Sequence, residues 1–385
     1  MMQCDKIYLD NAATTKISDE VFDVMLPYFK DFYGNPSSIY SSGRQASIAI
    51  RDARSQCAGA INAEPSEIYF TSGGSESDNW AIYSTAYSML EKGKNHIVTS
   101  AFEHHAVLNT LKFLEKKGFR ITYLPVYRGG IVKAADLKAA ITENTALVTI
   151  MYVNNEIGTI QPIKEIGALC RERGVVFHTD AVQAAPHLYI DVKKDNIDLM
   201  SVSGHKLHAP KGVGLLYCRN GVKLTPMVRG GGQERGSRAG TENTAGIVAL
   251  AEAMVNAEKN KKDVYSRHLK LSEYIIEEMM KMGGVSFNGD IEKRVPSIMN
   301  FSFDDIEGES LLLQLDLKGI AAGSGSACTS GNSEPSHVLR ALGLSCDAAR
   351  RSLRISMSRY TTYNEINIFL TELSEIIKRL RELRL

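Results

Sequence analysis

The chain has 385 residues, 44% of them hydrophobic, enough for one large core and a smaller second unit, since single cores rarely grow past roughly 250–300 residues. Its 45 Lys and Arg against 44 Asp and Glu leave a formal net charge of +1, so no basic excess serves nucleic acid or an anionic membrane surface. Asp5 interrupts the first positions, no run of about 18 apolar residues offers a membrane span, and six scattered cysteines without C-x-x-C pairs read as reduced thiols, so a soluble cytoplasmic protein is expected.

In chain order, short β-branched runs alternate with helix-length amphipathic stretches. Glu67 to Thr71, His96 to Ser100, Ala146 to Val153, Val175 to Asp180 and Asp198 to Ser203 are predicted strands, with helical patterns between most of them. That alternation predicts βα units and a mainly parallel sheet covered by helices on both faces. Gly214 to Cys218 adds an antiparallel strand. Beyond the glycine cluster Arg229-Gly230-Gly231-Gly232, the stretch from Thr241 to Met282 is helical in pattern, without Pro, and links two units. From Ser297 the order becomes strand (Ile298 to Phe303), helix (Glu309 to Leu317), strand (Ile320 to Ser324), helix (Pro335 to Leu342), strand (Ser352 to Ser356) and a final helix, a compact α+β unit.

Lys206, in Ser203-Gly204-His205-Lys206, follows an apolar strand, where small neighbours let it present an amine at the carboxyl edge of the sheet. Burial or nearby cations lower an amine's pKa and make it a Schiff-base former. Asp180 ends the strand beside it, where a carboxylate suits a pyridinium nitrogen, although the same residue would equally cap the next helix. Gln183, one turn on, can reach a ring hydroxyl. Phe70-Thr71-Ser72-Gly73-Gly74-Ser75 gives strand, glycine turn and helix start, so Gly74 and Ser75 either cradle a phosphate or simply begin a capped helix. An amine, a carboxylate and a phosphate cradle together are what pyridoxal phosphate (PLP) demands.

His104 opens the stretch from His105 to Leu114 on the same edge, where an imidazole can stack on a pyridine ring or move protons. The adjacent His105 raises a metal reading, but the chain lacks H-E-x-x-H and its histidines are not at ligand spacing, so no metal is expected. Arg354 shares a strand face with Ser352 and Ser356, where it either grips a carboxylate or lies on the surface. Cys328 lies in the small-residue run from Ala322 to Gly331, too flexible for a core, and a mobile exposed thiol suits a nucleophile that approaches a bound substrate and carries product away.

Further stretches stand in the same order: Tyr8-Leu9-Asp10-Asn11-Ala12-Ala13-Thr14-Thr15, Asn35-Pro36-Ser37-Ser38, Glu103-His104-His105, Asn154-Asn155-Glu156-Ile157-Gly158-Thr159, His178-Thr179-Asp180-Ala181-Val182-Gln183, Gly231-Gly232-Gln233-Glu234-Arg235-Gly236 and Gly240-Thr241-Glu242-Asn243. With Ser326-Ala327-Cys328-Thr329-Ser330-Gly331 they resemble, nearly end to end, the cysteine desulfurases of the NifS/IscS type in the class V aminotransferase family. The resemblance implies the α/β, type I aspartate-aminotransferase-like fold of PLP enzymes, with a large domain at 15–262 and a small α+β domain formed by 1–14 and 263–385. It implies PLP covalent on Lys206, Asp180 at the ring nitrogen, Gln183 at the ring oxygen, and His104 on the ring. Gly74, Ser75, Ser203 and His205 would hold the phosphate, with Thr241 supplied by the second subunit of a homodimer. Asn35, Asn155 and Arg354 fall at the substrate carboxylate.

The implied catalytic residues are Lys206, His104 and Cys328. L-cysteine becomes L-alanine, and Cys328 takes the sulfur as a persulfide for an acceptor such as an iron-sulfur scaffold or a thiolation partner, with no membrane and no direct nucleic-acid contact. Ser75 stands where the family often has threonine, His208-Ala209 replaces a frequent aromatic-glycine pair, and Ser358 replaces a frequent glycine before Arg359. An aminotransferase on the same fold would have no use for Cys328.

Overall fold

The computed structural model describes residues 7–324 and 335–382. The chain enters through a short strand, β1 (Ile7–Leu9), followed by α1 (Asp19–Met25), α2 (Pro27–Lys30) and the long α3 (Ser41–Gly59). Ser18 caps α1 by accepting from the Val21 N–H, which fixes where that helix begins.

The alternating region then forms β2 (Ile68–Thr71), α4 (Gly74–Leu90), β3 (His96–Ser100), α5 (His105–Glu115), β4 (Arg120–Leu124), α6 (Ala134–Ala140), β5 (Thr145–Thr149), α7 (Ile163–Arg173), β6 (Val176–Asp180), β7 (Leu199–Ser203) and β8 (Gly214–Cys218). These strands make one seven-stranded sheet in the order β2-β8-β7-β6-β5-β3-β4. Only β8 runs antiparallel to its neighbours, as expected of Gly214 to Cys218. β3, β5, β7 and β8 are buried at every position, because helices cover both faces, and they read as continuous rather than alternating apolar runs.

The expected strand from Ala146 to Val153 is strand only as β5. Beyond it the chain turns, with Asn154 Oδ1 accepting from the Glu156 and Ile157 N–H groups. β4 had no counterpart in the sequence reading: as the sheet's edge strand it is buried only at Leu124, is exposed at Arg120 and Tyr123, and so lacks the continuous apolar run of the central strands.

The linking helix, α8 (Thr244–Lys281), starts after Thr241 because Asn243 caps it, accepting from Gly246 N–H. Its 38 residues extend about 57 Å at 1.5 Å per residue. Its first half places Ala249, Leu250 and Met254 in the core under the large sheet, and its second half places Leu271, Ile275 and Met279 in a separate core. That second core is walled by β1, β9 (Val285–Phe287), β10 (Ile298–Phe303), α9 (Gly308–Leu317), β11 (Ile320–Ala322), β12 (Ser352–Ser356) and α12 (Tyr363–Glu382), whereas α10 (His337–Ala341) and α11 (Cys346–Arg350) place Val338, Leu339 and Ala349 in the first core. β12, β10 and β9 form an antiparallel sheet, and β1 pairs in parallel with β11. Bridges from Asp10 to Ser356 and from Gly323 to Arg354 tie that ladder to β12, so the two ends of the chain meet. α10 starts after Ser336, which caps it, rather than at Pro335. No described helix is long and apolar enough to cross a membrane.

Candidate active site

Parallel sheets expose their ligand sites at the carboxyl ends of the strands. Here a cleft of about 320 Å³ opens at the ends of β6 and β7, and it is lined by nine of the expected residues: Gly74, Ser75, His104, Asn155, Asp180, Gln183, Ser203, His205 and Lys206.

Asp180, the last residue of β6, is buried, and its Oδ1 accepts from Val182 N–H at 2.9 Å. Burial raises its pKa, opposed by His104. Below it His178 is fully buried, with Nδ1 2.8 Å from Thr149 Oγ1 and Nε2 3.0 Å from Ser201 Oγ. Burial pushes His178 down to about 3, so it is neutral at pH 7.

Lys206 ends the short turn after β7, and its Nζ donates to the carbonyls of Ala12 (2.6 Å) and Ala13 (2.5 Å). Gln183 Nε2 donates to the same Ala12 oxygen at 2.9 Å. The segment after β1 thus wraps over the lysine and withdraws it from water. Burial first, then the charge of Arg354, pushes the Lys206 amine down to about 8.

His104 is the N-cap of α5, where its Nδ1 accepts from Ala106 N–H at 3.1 Å. That bond leaves the proton of the neutral ring on Nε2. The ring stands exposed to the cleft, and burial of its surroundings lowers its pKa. Just before it, Glu103 is fully buried, accepts from Ser100 Oγ (2.5 Å) and Met151 N–H (3.0 Å), and is pushed up to about 8 by burial.

At the opposite end α4 begins at Gly74. Its N-cap Gly73 sits at φ 150°, ψ −176°, a conformation open essentially to glycine. Helix starts leave their first N–H groups without intrahelical acceptors, and here those of Gly74 and Ser75 face Ser203 and His205. The acid in this turn, Glu76, is neutralised by Arg238 at 2.9 Å, so it does not repel an anion. Burial pushes His205 down to about 4 while its Nδ1 meets Thr14 Oγ1 at 3.1 Å.

Arg354 is 8% exposed, not a surface side chain. Its Nη2 bonds Asp10 Oδ1 at 2.7 Å and its Nη1 bonds the Asn155 carbonyl at 3.1 Å, while its buried Nε has no partner among the described residues. A Cβ on Gly323 would stand 2.6 Å from Asp10 Oδ1 and 2.9 Å from Arg354 Nε, so only glycine lets β12 and the end of β11 close around the guanidinium.

Two expected residues lie away from this cleft in their own chain. Thr241 is exposed ahead of α8, and Asn35 is exposed, its Oδ1 accepting from Ser37 N–H. Cys328 lies outside the described residues, five positions after Gly323. Two site residues had drawn no notice as single side chains. Asp78 falls four positions after Gly74 on α4, the spacing that puts both on one helix face. Asp10 lies in the Tyr8 to Thr15 stretch, but its partner is 344 positions away.

This donor set fits PLP: an amine of lowered pKa beside a buried carboxylate, a neutral imidazole open to the cleft, and a helix start at the far end for a phosphate. The aminotransferase class-V family profile matches residues 7–369. A cysteine desulfurase IscS of Clostridium botulinum is 51% identical over 381 residues, covering 98% of this chain and 96% of its own. A solved NifS-like protein superposes with a TM-score of 0.91 at 37% identity, covering 97% of this chain and 99% of its own. SspA in complex with cysteine superposes at 0.81 with 38% identity, covering 92% and 100% respectively. The chain therefore belongs to the class-V aminotransferase family, among its PLP-dependent cysteine desulfurases of the NifS/IscS type.

Proposed function

We propose that this enzyme converts L-cysteine to L-alanine and hands the sulfur, through a persulfide on Cys328, to an acceptor protein. The observation that carries the reading is the convergence of Lys206 and Asp180 at adjacent strand ends, with Arg354 close enough to depress the lysine's pKa. Lys206 would hold PLP covalently, with Asp180 at the ring nitrogen, Gln183 at the ring oxygen, His104 on the ring face, and Gly74, Ser75, Ser203 and His205 at the phosphate. Bound there, PLP supplies an electron sink for charge developing at the substrate Cα.

The chain's own groups do the rest. Arg354, with Asn155, orients the substrate carboxylate, the first through its buried guanidinium. Lys206, with an amine near pKa 8, accepts a proton from Cα and returns one close to neutral pH. His104 offers its Nε2–H to the reacting groups. The Cys328 thiolate attacks the substrate sulfur: the S–S bond forms as the C–S bond breaks, and the carbon takes a proton to become alanine, so no outside oxidant is needed.

The exposed positions of Thr241 and Asn35 support their supply to the cleft of a second copy in a homodimer. We place a large domain at 15–262 and a small domain at 1–14 and 263–385; the second core of Leu271, Ile275, Phe301 and Phe369 supports the division, while Val338, Leu339 and Ala349 of the small domain pack into the first core. The name cysteine desulfurase IscS on the Clostridium relative supports a sulfur donor for iron-sulfur assembly or thiolation. With L-cysteine and a thiol reductant, the enzyme is expected to release sulfide and alanine in equal amounts. Cys328→Ala should lower sulfide release by about 10²-fold or more while still binding PLP. Undiminished sulfide from that variant would remove Cys328 from the mechanism.

A further inference from the structure

Beside Asp180 stands a second acid that the proposed reaction does not use. Asp78, one turn into α4, is 1% exposed and lines the same cleft. One polar atom each of Asp78, His104 and Asp180 lies within 4.8 Å of the others. Asp78 Oδ1 has no hydrogen-bond partner among the described residues, and His178 Nε2, 3.6 Å from it, already meets Ser201 Oγ at 3.0 Å.

Two carboxylates this close in a dry pocket do not both ionise, so one keeps a proton. The surroundings decide which. Asp180 faces His104, which favours its ionised form whenever the ring takes up a proton, accepts the Val182 N–H, and faces the Lys206 ammonium. Asp78 has less help: Ser201 favours its ionised form by a hydrogen bond, but His178 is neutral and the third buried acid, Glu103, adds negative potential. Burial, then the charge of Asp180, hold the Asp78 carboxyl well above the usual carboxylate range.

We propose that Asp78 is a positioning residue, a neutral carboxylic acid set against Asp180, so that the pair carries one negative charge and carries it on Asp180. The role rests on the assignment of Asp180 to the ring nitrogen: a pyridinium then meets a single, localised counter-charge across the neutral pH range. An amide at position 78, also neutral and also a donor, serves as well as the acid, whereas an apolar isostere does not.

The test uses the cofactor-free full-length protein first. In infrared difference spectra of wild type against Asp78→Asn, a carboxylic-acid C=O band should be present at pH 7 and vanish as pH rises. Asp180→Asn, by removing the neighbouring charge, should lower the midpoint of that loss by about one pH unit. In equilibrium dialysis at pH 7, Asp78→Asn should bind PLP within about twofold of wild type, and Asp78→Leu about tenfold more weakly, the value of one hydrogen bond to a charged group. Absence of the band, or a tenfold loss in Asp78→Asn, would overturn the proposal, the second because it would mean that position 78 must be charged. If Asp180→Asn keeps wild-type affinity while the band is present, the ring-nitrogen assignment fails and the proton-holding acid stands. If Asp180→Asn loses affinity and the band is absent, the Asp78 proposal alone fails.

Discussion

Asp180 and Lys206 are held by burial, whereas Arg354 and Asp10, on the other side of the same cleft, are held by each other. At the β6 and β7 edge, dehydration sets the chemistry: it raises Asp180, lowers Lys206 to about 8 and keeps His178 uncharged. At the β12 edge a 2.7 Å ion pair and a 3.1 Å bond to the Asn155 carbonyl fix a guanidinium that stays charged. The first region is built to react and the second to orient. Substitutions should therefore act on turnover at one edge and on substrate affinity at the other.

The largest expected effect is at Lys206. Lys206→Ala should abolish covalent PLP attachment and lower desulfuration by about 10³-fold or more, since it removes both the attachment point and the group that moves the Cα proton. In wild type, the neutral amine is the reactive form, so covalent uptake of PLP by cofactor-free protein should rise with pH through a midpoint near 8 instead of the ordinary lysine value. A wild-type turnover in Lys206→Ala, measured as alanine formed, would erase the contrast between the two edges.

Arg354→Ala comes next. Losing charge-assisted bonds of about 1.5–3 kcal/mol each to a carboxylate should lower kcat/KM by about 10²-fold, carried mainly by KM. Arg354→Lys should recover only part of it, because an ammonium cannot present the guanidinium fork. A loss confined to kcat would show that Arg354 belongs functionally with Lys206.

The reacting edge was the more legible of the two in the sequence. Asp180 and Ser203 end adjacent strands and Lys206 closes the turn after the second, so strand ends and turn residues suffice to bring them together. The phosphate cradle at Gly74 and Ser75 was legible for the same reason, as strand, glycine turn and helix start in one short run. The orienting edge was not. Asp10 meets Arg354 only because β1 pairs with β11 and Gly323 with Arg354, and three-residue strands at opposite ends of a chain leave no periodicity to read. Asp78 stayed hidden because an acid early in a helix looks like dipole compensation, and only the approach of β6 makes it a buried neighbour of Asp180.

The smallest effects join the two edges. Arg354 and Asp10 act on the Lys206 amine from across the cleft with opposite sign: the guanidinium lowers its pKa and the carboxylate raises it. Arg354→Ala should therefore move the midpoint of covalent PLP uptake above 8, and Asp10→Asn should move it below. Each shift should be roughly half a pH unit, as expected of charges several ångströms away that water partly screens. Asp10→Asn keeps an acceptor for Arg354 Nη2, so its KM for L-cysteine should change less than about tenfold. The double variant should return the midpoint to near 8 while keeping the large KM of Arg354→Ala, because the two charges cancel at the lysine but not at the substrate. Shifts of the same sign in the two single variants would show that they act by loosening the wrap over Lys206, since loss of burial raises the amine's pKa whichever residue causes it.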